Sequence, residues 1–180
     1  MLQDFKPVLK ILLRFILIYV GLVLAYQFYL NEFKNSGLDP ISTWVAEQAG
    51  WVQNTCNYQT ELIEGKPTQE TTWFLMEGKY VSRMVEGCNA VSVMVLFIAF
   101  IFAFYQGIKT FVFAGLGLLF LHIMNVSRIV GLNFVFLKYP EYGKISHNFF
   151  FPVIIYGSVV VLWLIWIKFF ALKTPDHEGS

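Results

Sequence analysis

Four apolar runs decide what this chain can be. Residues 8–30, 89–106, 111–130 and 149–172 each approach the roughly 20 apolar residues that cross a bilayer. Composition agrees: 57% of the chain is hydrophobic and 14% charged, against about half and about a quarter in soluble domains. The expected fold is an all-α integral membrane protein, one membrane domain over residues 1–180 with about four transmembrane helices, and the lipid bilayer is its surroundings. A net charge of +1 gives no electrostatic footprint for nucleic acid. The two cysteines, Cys56 and Cys88, form no Cys-x-x-Cys pair, so neither zinc nor a thioredoxin-type couple has support. No metal or organic cofactor is called for.

The first run carries Lys10 and Arg14 after Lys6, much like the start of a signal peptide. Bulky Tyr26-Gln27-Phe28-Tyr29 stands where small residues would mark cleavage, so the run reads as a retained helix with interfacial aromatics. Residues 31–87 are the long polar region, an outer cap between the first and second spans. Within it Ile41–Ala49 suits a short helix, with Trp44 and Trp51 at the membrane surface. Thr71–Met76 and Tyr80–Val85 suit a hairpin around Glu77-Gly78-Lys79. Gly115 and Gly117 offer close helix packing in the third run. Pro140 and Gly143 read as a loop, and residues 173–180 as a short tail.

Basic residues near span ends set orientation. Lys6, Lys10, Arg14, Lys109, Lys168 and Lys173 crowd short segments on one side. Lys34, Lys66, Lys79, Arg83, Arg128, Lys138 and Lys144 spread over two longer loops on the other. Both termini are therefore expected in the cytoplasm, with Cys88, Arg128 and His147 together on the outer face.

Each of these three has its own chemistry. Cys88 opens the second run, and a helix N-terminus favours the thiolate, which is the nucleophile. A small buried hydrophobe, or a disulfide with Cys56, would account for it equally. Arg128 lies 17 residues after Phe111, about 26 Å along a helix and so near the far interface. A cation there is favoured by the helix C-terminus, and charge within a span marks function; snorkelling to lipid phosphate is the simpler account. Asn125 and His122 continue the stripe at spacings of three. Asn125 is expected to orient Arg128, and His122 to be a hydrogen-bonded interior histidine. His147 precedes Phe149-Phe150-Phe151-Pro152 at the start of the fourth run, where a helix N-terminus favours the neutral, basic imidazole. A thiol, a base and an oxyanion-binding cation are the parts that acyl transfer through a thioester needs.

Glu86-Gly87-Cys88-Asn89, Asn125-Val126-Ser127-Arg128-Ile129 and a histidine ahead of the last span together resemble the exosortase/archaeosortase family. The Asn-x-x-Arg-Ile element is the most specific piece, and the resemblance covers about Val85–Pro152. It implies a polytopic membrane cysteine protease or transpeptidase, with Cys88 as nucleophile, Arg128 as transition-state stabiliser and His147 as acid and base. Asn125 and Asn89 would support them. The implied partners are exported proteins that end in a short motif, a transmembrane helix and a basic tail. The implied location is a bacterial inner membrane, with the active site on the periplasmic face. Many members carry more spans, so this is a short form, which with its high phenylalanine content suits a Bacteroidetes-type member. A small residue often follows the cysteine where this chain has Asn89, a departure that bears on substrate recognition. Two other classes fit the residues alone. A non-enzymatic membrane scaffold would tolerate substitution of all three residues, and a thiol oxidoreductase would need Cys56 as much as Cys88.

Overall fold

The computed structural model describes residues 6–171. The expected tail, with Lys173, lies outside them, as do the first five residues. The first run forms α1 (Lys6–Glu32). Among the described residues three helices are long and apolar enough to cross a membrane. They begin at Val8, Ile108 and Pro140 and run 25, 31 and 31 residues. The second run forms a shorter helix, α3 (Val91–Ala103), of 13 residues. At 1.5 Å per residue that is about 20 Å, less than the hydrocarbon thickness. It lies against α1, α4 (Ile108–Lys138) and α6 (Phe151–Trp166), and no residue from Val93 to Ala103 is exposed. A helix apolar on every side belongs in an interior. The irregular backbone at its ends, including Gly107 at φ 64°, is tolerated at membrane depth only where protein covers it. The longer helices instead turn Leu12, Leu17, Leu116, Phe120, Val153 and Val161 outward, as lipid-facing surfaces do.

Gly117 lets the bundle close. The Phe97 ring of α3 occupies the space that a Cβ on Gly117 of α4 would need, whereas nothing lies near a Cβ on Gly115. Of the two expected packing glycines, Gly117 makes such a contact and Gly115 does not. Around Phe97, aromatic rings fill the core: Phe100 stacks on Trp163 at 4.4 Å between centroids, and Trp166 on Phe170 at 4.9 Å.

The polar region is ordered structure, and it corrects the all-α expectation. α2 (Pro40–Thr55) begins with Pro40 at its first turn, and Asp39 caps it by accepting from the Ser42 N–H at 3.0 Å. β1 (Thr60–Glu64), β2 (Thr72–Met76) and β3 (Lys79–Met84) form an antiparallel sheet in that order. The expected hairpin is β2–β3. Glu77 and Gly78 both have positive φ, the tight turn whose twist matches the strands it joins. β1 joins the far side of β2 in register, Leu62 facing Phe74. The sheet exists because Thr72, Phe74 and Met76 alternate as a buried face. Phe74 and Met84 pack with Val45, Ala46 and Ala49 of α2 and with Val126, Ile129 and Val130 of α4.

Beyond Arg128 the apolar Val130–Phe136 leaves both a continuing helix and a bend open, and α4 continues for ten residues to Lys138, because Ile129, Val130 and Phe134 find this second core beyond the bundle. A loop expectation changes. Pro140 starts α5 (Pro140–Ile145) rather than a loop: proline suits a first helical turn, and the missing Cβ of Gly143 admits the ring of Phe136. From there a π-helical turn, Ser146–Phe150, leads directly into α6.

Candidate active site

Cys88 sits in a 3₁₀ turn, Glu86–Asn89, just ahead of α3 rather than in its first turn. Ala90 breaks the helical path at φ 61°, a left-handed conformation that costs a residue with a side chain. Asn89 offsets that cost. It is 2% exposed, its Oδ1 accepts from the Val91 N–H at 2.9 Å, and its Nδ2 donates to Tyr26 Oη at 2.7 Å and Ser42 Oγ at 2.9 Å. The turn is thereby tied to α1, α2 and α3 together.

The carbonyl oxygen of Cys88 is held from the other side. Asn125 Nδ2 donates to it at 3.1 Å and Arg128 Nη2 at 3.4 Å. Asn125 thus orients the cysteine turn; it makes no hydrogen bond to Arg128, the role expected from their spacing. The spacing of three puts both on one face of α4, and that face meets the turn. Arg128 is interior to α4, so a C-terminal helix dipole does not account for it. It lies 20 residues after Ile108, about 30 Å along the helix, a length close to the hydrocarbon thickness. Its Nε is buried without a partner, as is Asn125 Oδ1. Buried polar groups of this kind ask for an explanation.

His147 lies within the π-helical turn, not at a helix N-terminus, so the dipole argument for its basicity falls away. Its ring is exposed, with Nδ1 at 3.0 Å from Asn148 Oδ1. A second π turn, Ile167–Ala171, ends α6 away from the cavity, so the π geometry by itself does not mark the site.

Cys88, Arg128 and His147 border one cavity of about 300 Å³, within the range of small-ligand sites. The structure therefore brings together one residue inside the third apolar run and two that lie just ahead of the second and fourth. Cys88 and His147 share the cavity without a direct hydrogen bond; catalytic contacts of this kind often tighten only in the substrate complex. Cys56 is exposed beyond the end of α2 and does not border the cavity, and neither cysteine is in a disulfide. His122 binds Gln48 Oε1 through Nε2 at 2.6 Å under the ring of Trp44. It is the hydrogen-bonded histidine expected, away from the cavity. Trp44 and Trp51 are both exposed.

Sequence reasoning passed over several residues of this site. Arg83 and Trp73 of the sheet border the cavity, with the guanidinium 6.0 Å from the Trp73 ring. Asn133 is fully buried there, accepting from Ser82 Oγ at 2.5 Å while its Nδ2 has no partner. Asn133 was legible: a polar residue inside the apolar run Val130–Phe136 carries the same warning as Arg128. Asn148 was legible as the neighbour of a candidate base. Arg83 and Trp73 were not, because only the sheet carries them to the cavity.

Comparisons with protein-family models, with curated proteins and with solved structures give no match to this chain.

Proposed function

We propose that this protein is a membrane-embedded cysteine protease or transpeptidase that cleaves a C-terminal transmembrane sorting signal from exported proteins. The observation that carries the reading is the shared cavity of Cys88, Arg128 and His147. It lies beside the polar cap, at the level where α4 emerges from its membrane-length segment. On this reading α3 crosses as a fourth, buried span, both termini are cytoplasmic, and the cavity opens on the periplasmic side of a bacterial inner membrane.

Asn148 Oδ1 accepts the Nδ1–H of His147, which leaves Nε2 free as the base. Nε2 takes the Cys88 proton, and the thiolate forms a bond to the scissile carbonyl carbon. The carbonyl electron pair moves to oxygen, where the Arg128 guanidinium offsets the charge. Collapse of this tetrahedral species breaks the C–N bond, and His147 returns its proton to the leaving amine. The thioester on Cys88 is then opened by water or by an acceptor amine, deprotonated by His147, and the Cys88 thiol is restored. Asn125 and Asn89 hold the cysteine turn in place throughout. The exposed position of Cys56, outside the cavity, weighs against a redox cycle between the two cysteines.

The test is processing in the native host. With Cys88→Ala or Cys88→Ser, a protein that ends in a transmembrane helix and basic tail should accumulate uncleaved in the membrane. Normal processing of every such protein, with the variant stably inserted, would overturn the reading in favour of a scaffold.

A further inference from the structure

We propose that the free edge of β3 is a strand-addition site, which takes an extended peptide bearing a carboxylate and lays its backbone beside Cys88. The identity of that peptide as the substrate segment rests on the protease reading; the binding mode does not.

Three observations converge. First, β3 pairs with β2 alone, and β1 lies on the opposite side of β2. Among the described residues the outward backbone groups of Tyr80–Met84 have no backbone partner. Such an edge is a template for another strand. Second, the cavity reaches this edge from both faces of the sheet. Arg83 pairs with Trp73 on the exposed face, and Ser82 with Phe74 on the buried face, yet all four border the same cavity. Successive strand residues point to opposite faces. A cavity that touches the consecutive residues 81–84 therefore runs along the strand's open side, with α4 as its other wall. Third, the strand leads into the cysteine turn: Cys88 follows Met84 by four residues and borders the same space.

Charge selects the occupant. Arg83 and Arg128 both border the cavity, and among the described residues no carboxylate does. A peptide with an acidic side chain on the Arg83 side meets that imbalance. A second copy of β3 does not, because Lys79 and Arg83 would oppose like charges.

The experiment uses the full chain in nanodiscs, with Cys56→Ser so that Cys88 is the remaining thiol, and reads the rate of Cys88 alkylation. The probe is a short blocked peptide of alternating valine and glutamate. At roughly ten times its dissociation constant it should slow alkylation about tenfold, by mass action. Methylating its backbone nitrogens along one edge should abolish protection while methylating the other edge leaves it, because a paired strand uses alternate N–H groups. A glutamine version should protect less, and Arg83→Glu should shift the preference to a lysine version. Equal tolerance of both methylation patterns would overturn strand addition. So would absence of protection by any peptide, or protection that rises with protein concentration alone, which would assign the edge to a second copy. Any of these results alongside lost host processing in Cys88→Ala would leave the protease reading standing and remove only the binding mode.

Discussion

The first half of α4 packs through Ala114, Gly117 and Leu121 against Phe97, Ile101 and Trp166, whereas its second half meets the cysteine turn and the sheet through Asn125, Arg128 and Asn133. In the first environment the unpaired buried polar groups are indole N–H groups, those of Trp163 and Trp166, within stacked rings. In the second they include an amide oxygen, an amide nitrogen and a guanidinium nitrogen on residues around the cysteine turn and its cavity, beside Asp39 Oδ2 and the side-chain amide of Gln53 in the cap. One helix thus joins a part that is stable by close packing to a part that carries polar groups at an energetic cost. The polar groups beside the open cavity support the proposed chemistry there, while the bundle supplies the rigidity that holds the geometry.

If the division is sound, the largest effect on stability belongs to the bundle. Phe97→Ala should cost about 3–5 kcal/mol, the range for removing a buried ring, seen as a lower thermal midpoint in detergent. Its folded fraction should still alkylate at Cys88 at the wild-type rate. A changed Cys88 rate with an unchanged midpoint would break the comparison. The largest effect on function belongs to the other half. Arg128→Ala should slow precursor processing by about 10²–10³, as loss of one oxyanion donor does, with a far smaller change in midpoint. Lysine at this position should not restore the rate, since a point charge does not reproduce the fork of N–H donors.

How much of this was legible follows the same division. The bundle was readable from apolar runs because lipid imposes one rule on every residue of a span. Its boundaries were less so: α4 extends past its apolar run because the cap gives its end something to pack on, and the Pro140 segment is helical because it packs on α4. The β2–β3 hairpin was readable from Glu77-Gly78, a local signal. β1 was not, since Thr60–Glu64 pairs across an irregular connection with residues eight to sixteen positions away and has only a weak alternation of its own. In the site, Cys88, Arg128 and His147 stood out as reactive groups in apolar surroundings. The contacts that hold them did not follow from spacing. Asn125 turned out to grip the cysteine carbonyl, and Asn89 to tie its turn to α1 and α2 as well as α3, because Cys88 lies far from Asn125 in sequence and Tyr26 and Ser42 far from Asn89.

A smaller effect sharpens the boundary between the halves. Asn89→Ala would leave Tyr26, Ser42 and the Val91 N–H without their partner, at about 1–3 kcal/mol for buried polar groups left unmade. Because Asn89 anchors the turn rather than touching substrate, processing should fall less than in Arg128→Ala, and Cys88 should alkylate faster as its turn loosens. A loss of processing equal to that of Arg128→Ala, with Cys88 alkylation unchanged, would instead put Asn89 in contact with the reacting atoms.

The smallest effect is expected at the other cysteine. Cys56 is exposed, unpaired and away from the cavity, so Cys56→Ser should change stability by no more than about 0.5 kcal/mol, as surface substitutions do. Processing should stay at the wild-type level. Comparing Cys56→Ser with Cys88→Ser in the same host separates two chemistries that both need a thiol. Acyl transfer uses one sulfur and is indifferent to the second. A redox cycle forms an S–S bond between them and fails as completely without either. Equal loss in the two variants would mean that Cys56 travels to Cys88 during turnover, and would move the function from the cavity to the mobility of the α2 end of the cap.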